Sequence, residues 1–269
     1  MQNGIKLEAI SKIFGDDKSQ ALSLLKQGAT NIEIKEDTGC HIALREINLS
    51  IPNQKIYCLM GLSGSGKSTL IRHINRLIEP DLGQIWVGEL NVTNLDEKSL
   101  REFRQQRVSM VFQHFGLFPH LTVLENTEFA LKVRGVNEAE MDEQARYWLN
   151  EVGLSGYEQA YHSALSGGMQ QRVGLARALA AGTDILLMDE PFSALDPLIR
   201  TKLQSLLLGL QDRLQKTIVF VTHDIDEAKN LGGQVALMKD GEIVQAGSID
   251  DLEQFPNSEY VQSFMQAKR

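Results

Sequence analysis

Hydrophobic and polar positions change rhythm several times along the chain, and each change predicts an element. Residues 5–10 read as an opening strand. A polar, partly helical stretch over about 16–40 follows, in which Ala21, Leu22, Leu24 and Leu25 make a short apolar face before Gly28. Thr30 and Glu33 then stand at capping-box spacing for a second short helix. Strands recur at 43–51, 56–60, 84–87 and 108–112, ahead of a helix-rich middle over about 122–182. Two strongly apolar strands, 185–188 and 217–221, flank a helix around 198–214 and have the composition of parallel strands covered on both faces. Asp240-Gly241, inside VALMKDGEIVQAG, predicts a closing hairpin. Between the 56–60 strand and an apolar face made by Leu70, Ile71, Ile74, Leu77 and Ile78 lies GLSGSGKST, so its glycines occupy a strand-to-helix turn.

Composition narrows the class without naming it. The 269 residues, 42% of them hydrophobic, suffice for one large or two modest domains with a real core. A net charge of −8 argues against a broad nucleic-acid footprint. Two cysteines, Cys40 and Cys58, give neither a disulfide framework nor a zinc site. The opening MQNGIKLEAISK lacks a secretory layout, and no apolar stretch approaches the ~18 residues that span a bilayer. The expected setting is therefore the cytosol, unless a partner holds the chain at a membrane. No internal repeat or low-complexity tract breaks the sequence.

Gly61, followed after four residues by Gly66-Lys67-Ser68, fits the phosphate-binding loop in its required strand-to-helix context. Such glycines let successive N–H groups point inward, and the helix start adds positive potential where phosphate oxygens sit. Lys67 then suits the β- and γ-phosphates and Ser68 a Mg²⁺ ion. This pattern alone leaves kinase, GTPase, helicase and transporter ATPase open. A second anion-facing helix start is predicted at Leu165-Ser166-Gly167-Gly168-Met169-Gln170, with Ser166 at the capping position. The apolar strand at 185–188 ends in Asp189 and Glu190. Asp189 suits Mg²⁺ through water, and Glu190 suits general-base activation of an attacking water. Gln113 follows VSMVF and His223 follows TIVFV, so each can reach a metal, water or γ-phosphate from a strand end. His41, His73, His114, His120 and His162 read as structural or solvated, and Met169, Met188, Trp86 and Trp148 as packing residues.

Together these motifs resemble the nucleotide-binding subunit of ABC transporters over nearly the entire chain. The resemblance implies an α/β P-loop NTPase of ABC type: a RecA-like core with a mostly parallel sheet, an antiparallel β subdomain and an inserted helical subdomain. In this chain that means one domain over 1–269, with core and β subdomain at 1–112 and 183–269, a helical insertion at about 16–40 and a helical subdomain at about 113–182. It implies ATP and Mg²⁺ as cofactors and an ATP-hydrolysing enzyme. The Walker A loop would use Gly61, Ser63, Gly64, Ser65, Gly66, Lys67, Ser68 and Thr69. The Q-loop would be Gln113, the signature Ser166, Gly167, Gly168 and Gln170, and Walker B would end at Asp189. Glu190 would be the catalytic carboxylate, 193–196 the D-loop with Asp196, and His223 the switch histidine. Phe14, before a glycine, matches the position of the aromatic that stacks on adenine. The metal set would be Ser68, Gln113 and Asp189.

The family further implies a second copy facing the first head to tail, with ATP between one Lys67 loop and the other Ser166 helix. Other implied partners are two transmembrane permease subunits and, indirectly, an extracytoplasmic solute-binding protein, with the chain peripheral at the cytoplasmic face of the cell membrane. FQHFGLFPHLTVLENTEFALKVRG resembles the permease-facing segment of bacterial importer ATPases, against ordinary packing by Phe115, Phe118 and Leu121. The insertion over 16–40 and NRLIEPDLGQI resemble ATPases that import glycine betaine, proline betaine, choline and similar quaternary amines. Many of those continue into paired regulatory domains, whereas this chain stops at YVQSFMQAKR. The alternatives are an importer ATPase for another small polar solute such as an amino acid, or a soluble ABC-type ATPase acting on DNA or ribosomes, which acidity disfavours.

Overall fold

The computed structural model describes residues 4–113, 115–193 and 195–266. In chain order they form β1 (Ile5–Phe14), α1 (Lys18–Lys26), α2 (Asn31–Thr38), β2 (His41–Ile51), β3 (Ile56–Met60), α3 (Lys67–Ile74), β4 (Leu82–Val87), β5 (Leu90–Asn91), α4 (Glu97–Gln106) and β6 (Val108–Val111). There follow α5 (Val123–Val133), α6 (Glu138–Glu151), α7 (Gly167–Ala180), β7 (Ile185–Asp189), α8 (Pro197–Leu214), β8 (Thr217–Thr222), α9 (Ile225–Leu231), β9 (Gln234–Lys239), β10 (Glu242–Ser248), α10 (Ile249–Gln254) and α11 (Glu259–Gln266). His114 and Ala194, the latter within the D-loop expected at 193–196, lie outside the described residues.

A six-stranded sheet has the order β10-β9-β3-β8-β7-β6, in which only the β9–β10 pair is antiparallel. Its central strands are buried at every position because both faces are covered, and apart from Asp189, Thr217 and Thr222 their residues are apolar. Side chains alternate between two cores. Cys58 and Met60, with Met188 and Phe220, join the cluster under α5–α9, while Leu59, Leu187 and Val219 join the one shared with α3 and the second sheet. Truncating a fully buried anchor such as Phe220 to Ala would cost about 3–5 kcal/mol. The second sheet, β2-β1-β4-β5, is antiparallel throughout.

The insertion docks on that second sheet. Ala21, Leu25 and Ile34 from α1 and α2 pack with Ile13, Cys40 and Ile42 in a separate small core. The predicted capping box of α2 forms: Thr30 accepts from the Glu33 N–H, and Glu33 Oε2 accepts from the Thr30 N–H at 2.7 Å. Gly39, left-handed at φ 69°, ends the helix. The Asp240-Gly241 hairpin also forms, both residues at positive φ.

One helix is shorter than its periodicity predicts. The apolar spacing carries α3 to Ile78, but the helix ends at Ile74 and Leu77 is 49% exposed. Arg76 turns left-handed at φ 50°, and its guanidinium donates to the carbonyls of Val92 and Leu95. A tertiary anchor thus overrides the local pattern.

Candidate active site at the strand ends

The carboxyl ends of β3, β8, β7 and β6 lie side by side, the edge at which open α/β sheets bind ligands. Register decides which residues meet there. Met60 pairs with Thr222, Asp189 with Val221, and Val111 with Met188. The residues just beyond, Gly61, His223, Glu190 and Gln113, therefore emerge along one edge.

The loop after β3 is tight because its glycines permit it. Gly61, Gly64 and Gly66 have φ of 145°, 82° and 100°. A Cβ at Gly61 would meet the Met238 carbonyl oxygen at 2.4 Å, and one at Gly66 the Ala43 carbonyl oxygen at 2.7 Å. Around Gly64 nothing lies within 4 Å, leaving its surroundings open. The Lys67 ammonium, almost fully buried, donates to the carbonyls of Gly61 and Leu62 at 2.9 and 2.8 Å and stands 3.9 Å from Glu190 Oε1. Burial holds its pKa below the usual lysine value, while Glu190 and Asp189 pull the other way. A desolvated ammonium at a glycine cradle and helix start is a site for a polyanion.

Asp189 is fully buried and its two oxygens have different partners. Ser68 Oγ donates to Oδ1 at 2.7 Å and Arg72 to Oδ2 at 2.9 Å. Glu190, next in sequence, adopts a left-handed φ of 45°, and its Oε1 stands 3.9 Å from the Lys67 ammonium. Gln113 Nε2 donates to its Oε2 at 3.4 Å, and His223 Nδ1 lies 3.4 Å from the same oxygen. The N–H and hydroxyl of Ser193 both donate to the Glu190 carbonyl, tightening the turn.

These groups open on a cavity of about 600 Å³. Of the sequence-predicted residues, Phe14, Ser63, Gly64, Gly66, Lys67, Ser68, Thr69, Gln113, Glu190 and His223 line it. Gly61 and Ser65 shape the loop beneath, where Ser65 Oγ is buried without a hydrogen-bond partner among the described residues, and Asp189 sits behind Ser68. Ser166, Gly167, Gly168, Gln170 and Asp196 are not brought into this cavity. Ser166 is exposed and caps α7 by accepting from the Met169 N–H at 3.3 Å. Gln170 donates its amide to the carbonyls of His162 and Leu165, anchoring that helix start to its own chain. Asp196 caps α8 by accepting from Ile199.

Two residues at the site escaped sequence reasoning. His41, read as structural or solvated, is the cross-strand partner of Phe14 and lines the cavity beside it. Arg72 holds Asp189 across 117 residues of chain. Neither has a local signature, since strand pairing across an insertion and the pitch of α3 bring them there.

A family model described as ABC transporter matches residues 44–193. The glycine betaine transport ATP-binding protein OpuAA of Bacillus subtilis is 50% identical over 262 residues, covering 97% of this chain and 63% of that protein. The trimethylamine N-oxide transport system ATP-binding protein TmoW of Pelagibacter ubique is 44% identical over 262 residues, covering 97% of this chain and 76% of its own. The chain thus spans just under two thirds of the glycine betaine relative. Among solved structures, a dimeric ATP-binding cassette in a post-hydrolysis state bound to ADP and Pi superposes with a TM-score of 0.78 at 32% identity, covering 91% of this chain and 98% of that one. The glycine cradle, the strand-edge cluster and these similarities agree that the chain belongs to the ABC transporter family of ATP-binding cassettes.

Proposed function

We propose that this chain binds ATP with Mg²⁺ in the cavity at the strand ends and hydrolyses it to drive an importer of quaternary-amine solutes. The observation that carries the proposal is the convergence of Lys67, Gln113, Glu190 and His223 from four separate strand-to-loop junctions on one cavity. Glycine-lined N–H groups and Lys67 suit the triphosphate, and Phe14 suits the base. Ser68, Asp189 and Gln113 would hold the metal. They offer hydroxyl, carboxylate and amide oxygens, the hard donors that Mg²⁺ takes one or two at a time beside substrate phosphates. When bound, the ion supplies charge neutralisation at the phosphate oxygens.

The protein's own part is to position and to move a proton. Glu190 Oε2, between Gln113 and His223, accepts a proton from a water attacking the terminal phosphorus as the bond to the leaving ADP oxygen breaks. Lys67 and His223 compensate the charge that spreads over the transferring group. A second copy would complete the site. The Ser166 helix start is a further anion-facing terminus outside this cavity, and the similar solved cassette is dimeric. A head-to-tail pair would bring one copy's Ser166, Gly167 and Gly168 over the other's Lys67 loop, with Asp196 at the crossing.

The solute class rests on relatives named for glycine betaine and trimethylamine N-oxide transport. Two permease subunits, fed by an extracytoplasmic solute-binding protein, would take the chain to the cytoplasmic membrane face. No helix among the described residues is long and apolar enough to cross a membrane. An aromatic cluster on the 113–182 lobe supports docking there: Phe118 packs on Phe129 at 4.4 Å, Phe129 is 36% exposed, and Arg177 stands over the Phe118 ring. The decisive experiment measures phosphate release from ATP by the purified chain, then solute uptake by vesicles holding it with its co-purifying membrane subunits. Absence of hydrolysis in that complex would end the enzymatic reading. Uptake of an amino acid instead of glycine betaine, choline or trimethylamine N-oxide would end the solute assignment.

A further inference from the structure

Beside the cavity, a cluster of charged and hydroxyl groups ties two loops together in a way the proposed chemistry has not used. Arg200, in the first turn of α8, reaches three of them. Its Nη2 donates to the carbonyl of Leu195, just ahead of α8, at 3.4 Å. Its Nη1 donates to Asp224 Oδ2 at 3.2 Å, and its Nε lies 3.5 Å from Glu227 Oε1. Asp224 and Glu227 belong to the segment that carries His223. Thr222 completes the brace, its hydroxyl donating to Glu227 Oε2 at 2.5 Å and accepting from the Asp224 N–H at 2.9 Å. Asp224 Oδ1 also caps α9 by accepting from the Asp226 N–H.

These groups enclose a space of only about 10 Å³ whose wall includes Glu190 and His223. The brace is therefore continuous with the reacting edge. Asp224 and Glu227 are buried while Arg200 is partly exposed, and the guanidinium offsets part of the cost of two neighbouring buried carboxylates. Planarity matters here: one rigid fork hydrogen-bonds in two directions while its Nε, without a hydrogen-bond partner among the described residues, faces Glu227, an arrangement a flexible ammonium does not hold.

We propose that Arg200 is a positioning residue that locks Leu195, just ahead of α8, to the His223 loop and so sets the placement of His223 against Glu190. The inference rests on the ATP-hydrolysing reading above. In a head-to-tail pair, pressure on Ser193 or Asp196 from the second copy would pass through Arg200 to His223. The Ser193 bonds to the Glu190 carbonyl give the carboxylate the same reference point. Misplacing a catalytic group by about 1 Å costs roughly 100-fold in rate, whereas nucleotide affinity, set at the glycine loop, should hardly change.

The test compares wild type, Arg200→Met and Arg200→Lys in steady-state ATP hydrolysis. The ATP-driven dimer is followed in parallel by gel filtration with Glu190→Gln alone and combined with Arg200→Met. Expected for Arg200→Met is a kcat lower by about 10- to 100-fold with KM within about twofold, an ATP-driven dimer that persists, and partial recovery of kcat in Arg200→Lys. A kcat within about twofold of wild type overturns the proposal, as does a parallel loss of ATP-driven dimerisation, which would make Arg200 simply structural. If Arg200→Met fails to fold, Glu227→Gln repeats the test, and an unchanged kcat there overturns it equally. Should wild type itself fail to hydrolyse ATP, the parent reading falls first, and the two failures are told apart.

Discussion

Gln113 and Glu190 lie 77 residues apart in sequence, yet the amide nitrogen of one is 3.4 Å from a carboxylate oxygen of the other. Each is two residues past the register pair Val111–Met188 of adjacent parallel strands. Strand pairing alone fixes their proximity, and β8 adds His223 on the other side of the same oxygen. A carboxylate framed in this way is oriented before any ligand arrives.

Replacing Glu190 by Gln keeps its shape and removes the proton acceptor. Steady-state phosphate release should fall by about 100-fold or more, while ATP is retained and an ATP-dependent dimer accumulates. Phosphate release and gel filtration with ATP check both halves, and normal turnover would remove Glu190 from the role.

The composite-site reading predicts a complementation pattern. Lys67→Ala destroys the ammonium at the loop, and Ser166→Arg blocks the α7 start, so each variant alone should be inactive. In a mixed head-to-tail pair one site carries both lesions and the other carries none. Equal mixing should restore about a quarter of wild-type activity, since about half of the pairs are mixed and each has one sound site. No recovery on mixing would mean that both residues serve a site within one chain.

Much of this was legible in the sequence because the informative residues sit beside local signals. The glycine loop lies between a strand of five apolar residues and an amphipathic helix, and Asp189-Glu190 closes another apolar run. The capping box at Thr30 and Glu33 and the Asp240-Gly241 turn were readable for the same reason. What escaped depends on distant chain. Arg76 turns left-handed without being Gly or Asn, held by carbonyls 16 and 19 residues away, so periodicity overran the end of α3. His41 reaches the cavity only because β2 pairs with β1 across the whole insertion. Arg72 and Arg200 find their carboxylates through the packing of helices on the sheet, which no spacing encodes.

The Arg72–Asp189 pair should carry measurable stability. Asp189 is fully buried, Arg72 is 37% exposed, and among the described residues only the Ser68 hydroxyl would be left hydrogen-bonded to the carboxylate if the guanidinium were lost. Breaking a buried pair from one side costs about 3–5 kcal/mol, and the exposure of Arg72 lowers the expectation for Arg72→Met to about 2 kcal/mol. In a chain of this size that is a drop of roughly 4–8 °C in melting midpoint. Adding Asp189→Asn should recover part of it by removing the stranded charge. A double variant less stable than the sum of the singles would contradict the pairing.

The last expectation concerns alkaline pH and lies inside β3. Burial pushes the Tyr57 phenol up to about 12 from an ordinary 10.0, and the Cys58 thiol up to about 12 from 9.0. Both acids therefore keep their protons in the fold at pH values where the unfolded chain has released them. When the unfolded state binds fewer protons, stability falls as pH rises. The stability these two groups contribute is fully present below about pH 9 and is lost progressively between about 9 and 12. Melting midpoints followed from pH 7 to 11 should thus fall steeply above 9. Tyr57→Phe and Cys58→Ala should each flatten that decline, even where they lower the midpoint at pH 7 by removing packed atoms. Cys58 should also resist a maleimide at pH 8 until denaturant is added, because both exposure and thiolate are withheld. Parallel pH profiles for wild type and both variants would show that neither group governs the alkaline limit.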